Sequence, residues 1–256
     1  MTEKNGTTRI NKFIANNYNI SRRDADEYIL QGRVTLNNIT ISEPGFIINP
    51  AKDKIRVDGE LIKVSDKKIY IMLNKPTRVI SAVTDDKHRT TVVDLIKLKD
   101  KIYPIGRLDY DSTGLLLLTN DGEFANELMH PRYKVYKTYE VKLSKPLDEK
   151  IKALLEKGIL IDRKKTEPAI VKLTNPRDHR YVTISIREGR NRQVRKMFER
   201  FGYFVNKLHR SEYGGLKLGD LKPGESKKLS PADIQKLENN INTDNTKSKT
   251  KAKNKK

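Results

Sequence analysis

Residues 106–122 read GRLDYDSTGLLLLTNDG, and two acids, Asp109 and Asp111, stand there between Arg107 and the apolar run Leu115–Leu118. Two other stretches carry comparable chemistry: YKVYKTYEV at 133–141 and IREGRNRQVRKMF at 186–198. Each sets polar or basic groups at the end of a strand, so the three are expected to converge on one cleft. A carboxylate in a dry cleft tends to protonate, because desolvation disfavours its charged form, and a nearby arginine opposes this. The chemistry on offer is that of an ionised carboxylate held beside cations.

Other chemistries are excluded by what the chain lacks. Its 256 residues include no cysteine, which removes disulfides, thiolate metal sites and cysteine nucleophiles. There is no Walker loop, and His88, His130, His179 and His209 show no HExxH-type spacing, so neither a metal nor a cofactor is expected. The net charge of +20 and the isoelectric point near 9.8 favour a polyanionic partner. The N-terminal MTEKNGTTRINKF has no apolar core of a secretory signal. No apolar run is long enough to span a membrane, and a cytoplasmic protein is expected.

The elements that must position these groups are legible from periodicity. Thr8 to about Asn17 reads as a helix with Ile10, Phe13 and Ile14 on one face. A second helix follows in SRRDADEYILQGRV, with Ser21 as N-cap, Asp24 completing a box-like pair and Gly32 as the stop. Arg22, Arg23 and Arg33 cluster at its ends. Asn37-Asn38 and Asp58-Gly59 read as turns between short strand pairs. Residues 8–63 thus form a small helix-helix-strand unit, and SDKK at 65–68 reads as a linker.

Beyond the linker, IYIMLNKP is a buried strand ending at Lys75-Pro76, and TTVVDLI reads as the start of a helix. Leu115–Leu118 is too continuous for a half-exposed strand and belongs at the centre of a sheet. GEFANELMHP is a short helix stopped by Pro131, and YKTYEVKL alternates as a strand. In DEKIKALLEKGILI, Ile151, Leu154 and Leu155 form an inner helical face closed by Gly158. RYVTISIREG is a strand, and NRQVRKMFERFGY a helix with Val194, Met197, Phe198 and Phe201 apolar. Strands and helices mix without strict alternation, which indicates an α+β domain over 69–237. Residues 238–256, ending in NTKSKTKAKNKK, are expected to be a disordered, RNA-attracting tail.

Two family resemblances follow from these residues. TRINKFIANNYNISRRDADEYILQGRVTLNN resembles the S4-type α-L RNA-binding domain. GRLDYDSTGLLLLTNDGEFANELMHP, KTYEV and EGRNRQVRKMF, preceded by NKP, resemble pseudouridine synthases of the RsuA type. That resemblance implies a small S4-like domain followed by a mixed, largely antiparallel-sheet catalytic domain acting on uridines in ribosomal RNA. It implies Asp109 as nucleophile, Arg195 as the partner that keeps it ionised, and Tyr139 as the platform on which the base stacks. It assigns RNA contacts to Arg22, Arg23, Arg33, Lys75, Arg107, Arg190 and Arg192. No cofactor is needed, because the isomerisation adds and removes nothing; a monomer is expected. The family pattern NKPxG departs here, with Arg78 at the glycine position, which puts that turn's geometry in question.

Blander readings stand beside these. Asp111, Thr113 and Asp121 suit turn and helix-start positions, where they cap backbone donors. Tyr133, Tyr136 and Tyr139 suit strand packing, and the arginines of 190–195 a solvated helix face. A non-catalytic ribosome assembly factor would keep the same fold. An Asp-dependent nucleosidase would need a second carboxylate as general acid, and none stands at an evident position.

Overall fold

The computed structural model describes residues 6–18, 20–63, 67–98 and 100–241. The chain divides into two compact units, Met1–Lys68 with Lys99–Lys101, and Ile69–Leu98 with Ile102–Lys256.

The first unit runs β1 (Thr8–Arg9), α1 (Ile10–Asn17), α2 (Arg22–Leu30), β2 (Val34–Leu36), β3 (Ile39–Thr40), β4 (Ile47–Ile48), β5 (Ile55–Val57) and β6 (Glu60–Leu61). Thr8, expected to open a helix, instead pairs with Ile48, and α1 starts two residues later. Ser21 caps α2 with a complete box: its hydroxyl accepts from the Asp24 N–H, and the Asp24 carboxylate accepts from the Ser21 N–H. Asn37 and Asn38 take φ of 52° and 70°, and Asp58 and Gly59 take 51° and 83°, closing the two hairpins. Ile10, Phe13 and Ile14 pack on Ala25, Ile29, Val34 and Ile55 to form this unit's core.

The second unit contains β7 (Tyr70–Lys75), β8 (Tyr103–Ile105), β9 (Thr113–Thr119), α3 (Gly122–Met129), β10 (Lys137–Leu143), α4 (Glu149–Lys157), β11 (Leu160–Ile161) and β12 (Lys164–Lys165). It continues with β13 (Ile170–Leu173), β14 (Tyr181–Ile186), α5 (Gln193–Glu199), β15 (Val205–Tyr213), β16 (Leu216–Lys217), β17 (Ser226–Lys228) and a last helix, α6, over residues 231–241. Its main sheet has the order β13-β14-β10-β15-β9-β7-β17, with β16 on β15 and β8 on β9. Among the described strands of this sheet, β9 with β15 is the one parallel pairing.

The leucine run lies in mid-sheet because both faces of β9 are covered. Leu116 and Leu118 point into a core with Ile71, Leu73 and Val141. Leu115 and Leu117 point into a second core with Met72, Ile105, Phe124, Leu128 and Leu237. Asp121 caps α3 by accepting from the Glu123 and Phe124 N–H groups.

Three further expectations are corrected. TTVVDLI does not start a helix: the Asp94 carboxylate accepts from the N–H and hydroxyl of Thr91 and folds the segment into a turn, while Thr91 bridges to Ile80. In α4, Leu155 is buried and Ile151 partly so, but Leu154 is 44% exposed. Residues 238–241 belong to α6 rather than to a disordered tail, since Ile241 is buried beside Leu237. The remaining tail residues, 242–256, and Ser65-Asp66 of the expected linker lie outside the described residues.

Gly114 sets the closest approach of β9 to β15. At its φ of 108°, a Cβ would fall 2.3 Å from the Arg210 carbonyl oxygen and 2.6 Å from the Arg210 nitrogen. Gly106, at φ 75°, has nothing within 4 Å of the same position. Gly114→Ala is therefore expected to cost about 3 kcal/mol, from backbone clash plus strain, and Gly106→Ala only about 1 kcal/mol from strain. Urea unfolding of the two variants checks the difference; equal losses would contradict the close approach.

Candidate active site

The acidic loop between β8 and β9 is fastened from below. Lys75, at the end of β7, is fully buried, and its ammonium donates to the carbonyls of Pro76, Asp109 and Ser112 at 3.0, 3.1 and 2.9 Å. Burial pushes its pKa down to about 8. The expected contact of Lys75 with RNA is thus corrected: its ammonium is buried and spent on backbone carbonyls, two of them in the acidic loop and one at Pro76. The Ser81 hydroxyl fastens the same loop, accepting from the Leu108 N–H and donating to the Leu108 carbonyl. Arg78, at the position where glycine was expected, takes φ 62° and donates its N–H to the Tyr110 carbonyl at 2.8 Å. The turn keeps a glycine-like backbone, at a strain of about 1–2 kcal/mol.

From above, α5 delivers Arg195. Val194, Met197 and Phe198 bury this helix, which leaves the Arg195 side chain 6% exposed. Its guanidinium donates to the Val205 carbonyl at 2.7 Å and lies 2.8 Å from the Asp111 carboxylate. Its Nε lies 3.9 Å from Asp109 Oδ2 and has no hydrogen-bond partner. Arg192 approaches the same oxygen at 3.7 Å. One oxygen of Asp109 therefore has two cations at ion-pair distance, and among the described residues neither carboxylate oxygen is in a hydrogen bond. The Asp109 side chain is 31% exposed, toward the cleft that it lines.

That cleft has a volume of about 380 Å³, within the range that holds a small ligand. Asp109, Tyr139, Arg107, Arg190 and Arg192 line it, so the three motif stretches do converge. Of the three tyrosines, Tyr139 alone faces it. Tyr133 is buried with α3, and Tyr136 lies under the Arg187 guanidinium at 4.4 Å. Arg107 is exposed at the cleft. Arg190 is committed elsewhere, donating to the Lys164 and Lys165 carbonyls at 2.9 and 2.6 Å and pairing with Glu188. Arg33, in the first unit, forms a bidentate pair with Asp58 at 2.9 and 2.6 Å and stacks 3.6 Å from the Tyr28 ring centroid. Arg22 and Arg23 are exposed at the start of α2.

Sequence reasoning missed several groups. Asp111, read as a turn residue, is the nearer acid to Arg195. Lys137, Arg210 and Tyr213 also line the cleft. Lys137 precedes Tyr139 by two on one strand and so shares its face, a signal that the period of two contains. Arg210 gave no such signal, because KLHRSEY reads as an ordinary strand.

Among the described residues, no group of three or more histidine and acidic side chains gathers as for a metal ion, and no helix is long and apolar enough to cross a membrane. The model of the RNA pseudouridylate synthase family matches residues 69–200, and that of the S4 domain matches residues 8–55. The chain is 44% identical to ribosomal large subunit pseudouridine synthase B of Bacillus subtilis over 90% of its own length and 95% of the relative's. It is 35% identical to the dual-specificity RNA pseudouridine synthase RluF of Escherichia coli K12, over 96% of its own length and 84% of that protein's. A crystal structure of a pseudouridylate synthase matches 90% of this chain and 99% of the solved one, at 33% identity and a TM-score of 0.66. The chain belongs to the RNA pseudouridylate synthase family and carries an S4 domain ahead of its catalytic domain.

Proposed function

We propose that the enzyme isomerises uridine to pseudouridine in ribosomal RNA, with Asp109 as its nucleophile. The relatives named for ribosomal RNA support the substrate class. The observation that carries the nucleophile is the Asp109 carboxylate itself, which lines the cleft near Arg195 and Arg192 and, among the described residues, has no hydrogen bond to blunt it. In this reading the carboxylate forms a bond to C1′ of the target ribose. The C1′–N1 bond breaks, and its electron pair stays on uracil. The base turns in the cleft, C5 displaces the carboxylate, and the C5 proton leaves while N1 gains one. No external oxidant, reductant or group donor enters this balance. Tyr139 offers a ring for the base, and stacking of this kind is worth about 1–3 kcal/mol. That offsets much of the few kcal/mol needed to extrude a base from RNA. Exposed Arg107 and Arg192 meet phosphates at the mouth, and Arg22 and Arg23 do so on the S4 domain. Ribosomal RNA is met in the cytoplasm, and a monomer acting there is the simplest form of this reading.

Asp109→Asn is expected to fold and bind RNA but to lose pseudouridine formation by about 10³-fold or more. Substantial activity in that variant, read by pseudouridine mapping of treated transcripts, would remove the assignment. Arg195→Lys keeps the charge but not the planar fork that reaches Val205, Asp111 and Asp109 together. It should retain more activity than Arg195→Ala under single-turnover conditions, and the reverse order would show that charge is not what matters. Changing Arg22 and Arg23 together to Ala should flatten the slope of log affinity against log salt by about 1–2, since fewer counterions are released. An unchanged slope in filter binding would mean that these arginines do not meet phosphate.

A further inference from the structure

Among the described residues, two cations at the cleft have no ion-pair partner. Lys137 on β10 is 8% exposed and Arg210 on β15 is 3% exposed. They stand on adjacent strands, with Tyr139 opposite Arg210 and Lys137 opposite Tyr213. Among the described residues neither is in an ion pair. Among the described residues no hydrogen bond of the Lys137 ammonium is found, and it lies 5.3 Å from the Tyr213 ring centroid. Arg210 donates from Nε to the Leu115 carbonyl at 2.7 Å, and one of its terminal nitrogens lies 3.5 Å from the Tyr139 hydroxyl. Its other terminal nitrogen is buried without a partner. Both residues line the cleft that Asp109 and Tyr139 line.

We propose that Lys137 and Arg210 hold the negative charge that uracil acquires when its bond to ribose breaks, Lys137 as a catalytic residue touching the base. Burying two like charges side by side is costly, and aromatic faces offset only part of that cost. An anion in the cleft would complete the balance. Neutral uracil does not supply it on entry. Once the C1′–N1 electron pair stays on the base, the charge spreads over N1, O2 and O4. Cations fixed in a dry site then stabilise the reacting state more than the bound substrate, which is what accelerates a reaction. Burial and the neighbouring Arg210 lower the Lys137 pKa to about 8, so the ammonium stays protonated at neutral pH. Tyr139, whose hydroxyl neighbours Arg210, links this floor to the stacking surface. A phosphate of the target strand is the competing occupant; it would be held equally before and during the reaction.

This inference rests on the proposed chemistry at Asp109, whose own failure would show separately as activity in Asp109→Asn. The test uses the full chain with unmodified ribosomal RNA transcripts. Lys137→Met keeps the length of the side chain and removes the charge. Its saturated single-turnover rate should fall about 10²-fold or more, in line with loss of one charge-stabilising donor. Its RNA affinity should stay close to that of the unaltered protein. Its thermal midpoint should hold or rise, because an unpaired buried cation is gone. With 5-fluorouridine at the target, the fluorine draws charge from the ring and the base leaves more easily. The deficit of Lys137→Met, measured as loss of the C1′–N1 bond, should then shrink several-fold. The same deficit with both bases, a saturated rate like that of the unaltered protein, or a loss confined to affinity would each overturn the proposal, the last in favour of a phosphate.

Discussion

The guanidinium of Arg195 is the contact on which the catalytic unit depends. It joins α5 to the first residue of β15 through the Val205 carbonyl, ten residues on, and to the acidic loop, more than eighty residues back, through Asp111 and Asp109. Each part has its own reason to be there. Val194, Met197 and Phe198 sink α5 into the core. Gly114 lets β15 lie against β9. The Lys75 ammonium gathers three carbonyls and fixes the loop's backbone. Arg195 is buried while its acidic partners are partly exposed, so losing one of them leaves a buried cation only partly compensated, and the three parts depend on one another.

The arrangement separates two tasks that one ion pair would confuse. Asp111 takes the short contact with Arg195 at 2.8 Å, while Asp109 stays at 3.9 Å. A carboxylate in a tight bidentate pair is stabilised but poorly disposed to attack. One held at a distance, as Asp109 is, leaves its lone pairs open, as its proposed role requires. The strained backbone of Arg78 serves the same loop, because its N–H reaches the Tyr110 carbonyl between the two acids.

Much of this was legible in the sequence where local chemistry decides. The Asn37-Asn38 turn, the Ser21 box and the central leucine strand follow from backbone preference and period. The three motif stretches named the cleft, and the resemblance named its nucleophile candidate. What stayed hidden was partnership over distance. A sequence shows that Lys75, Arg33 and Arg190 are cations, but not that backbone carbonyls and Asp58 have already claimed them. It shows Asp111 beside Asp109, but not which of them Arg195 reaches first. TTVVDLI has an apolar pattern, yet one carboxylate, that of Asp94, bends it into a turn. Arg210 reads as any strand residue, because its burial depends on β9 and β10, some 70–95 residues earlier in the chain.

Asp109, rather than Asp111, is the acid proposed to be presented to the ribose. A structure of the enzyme bound to RNA carrying a non-cleavable uridine analogue at the target measures this directly. The expected result is an Asp109 carboxylate oxygen about 3–3.5 Å from C1′, the range of a reactive approach, with Asp111 still paired to Arg195. An Asp111 oxygen nearer to C1′ than Asp109, or Asp109 drawn into a hydrogen-bonded pair away from the sugar, would contradict it.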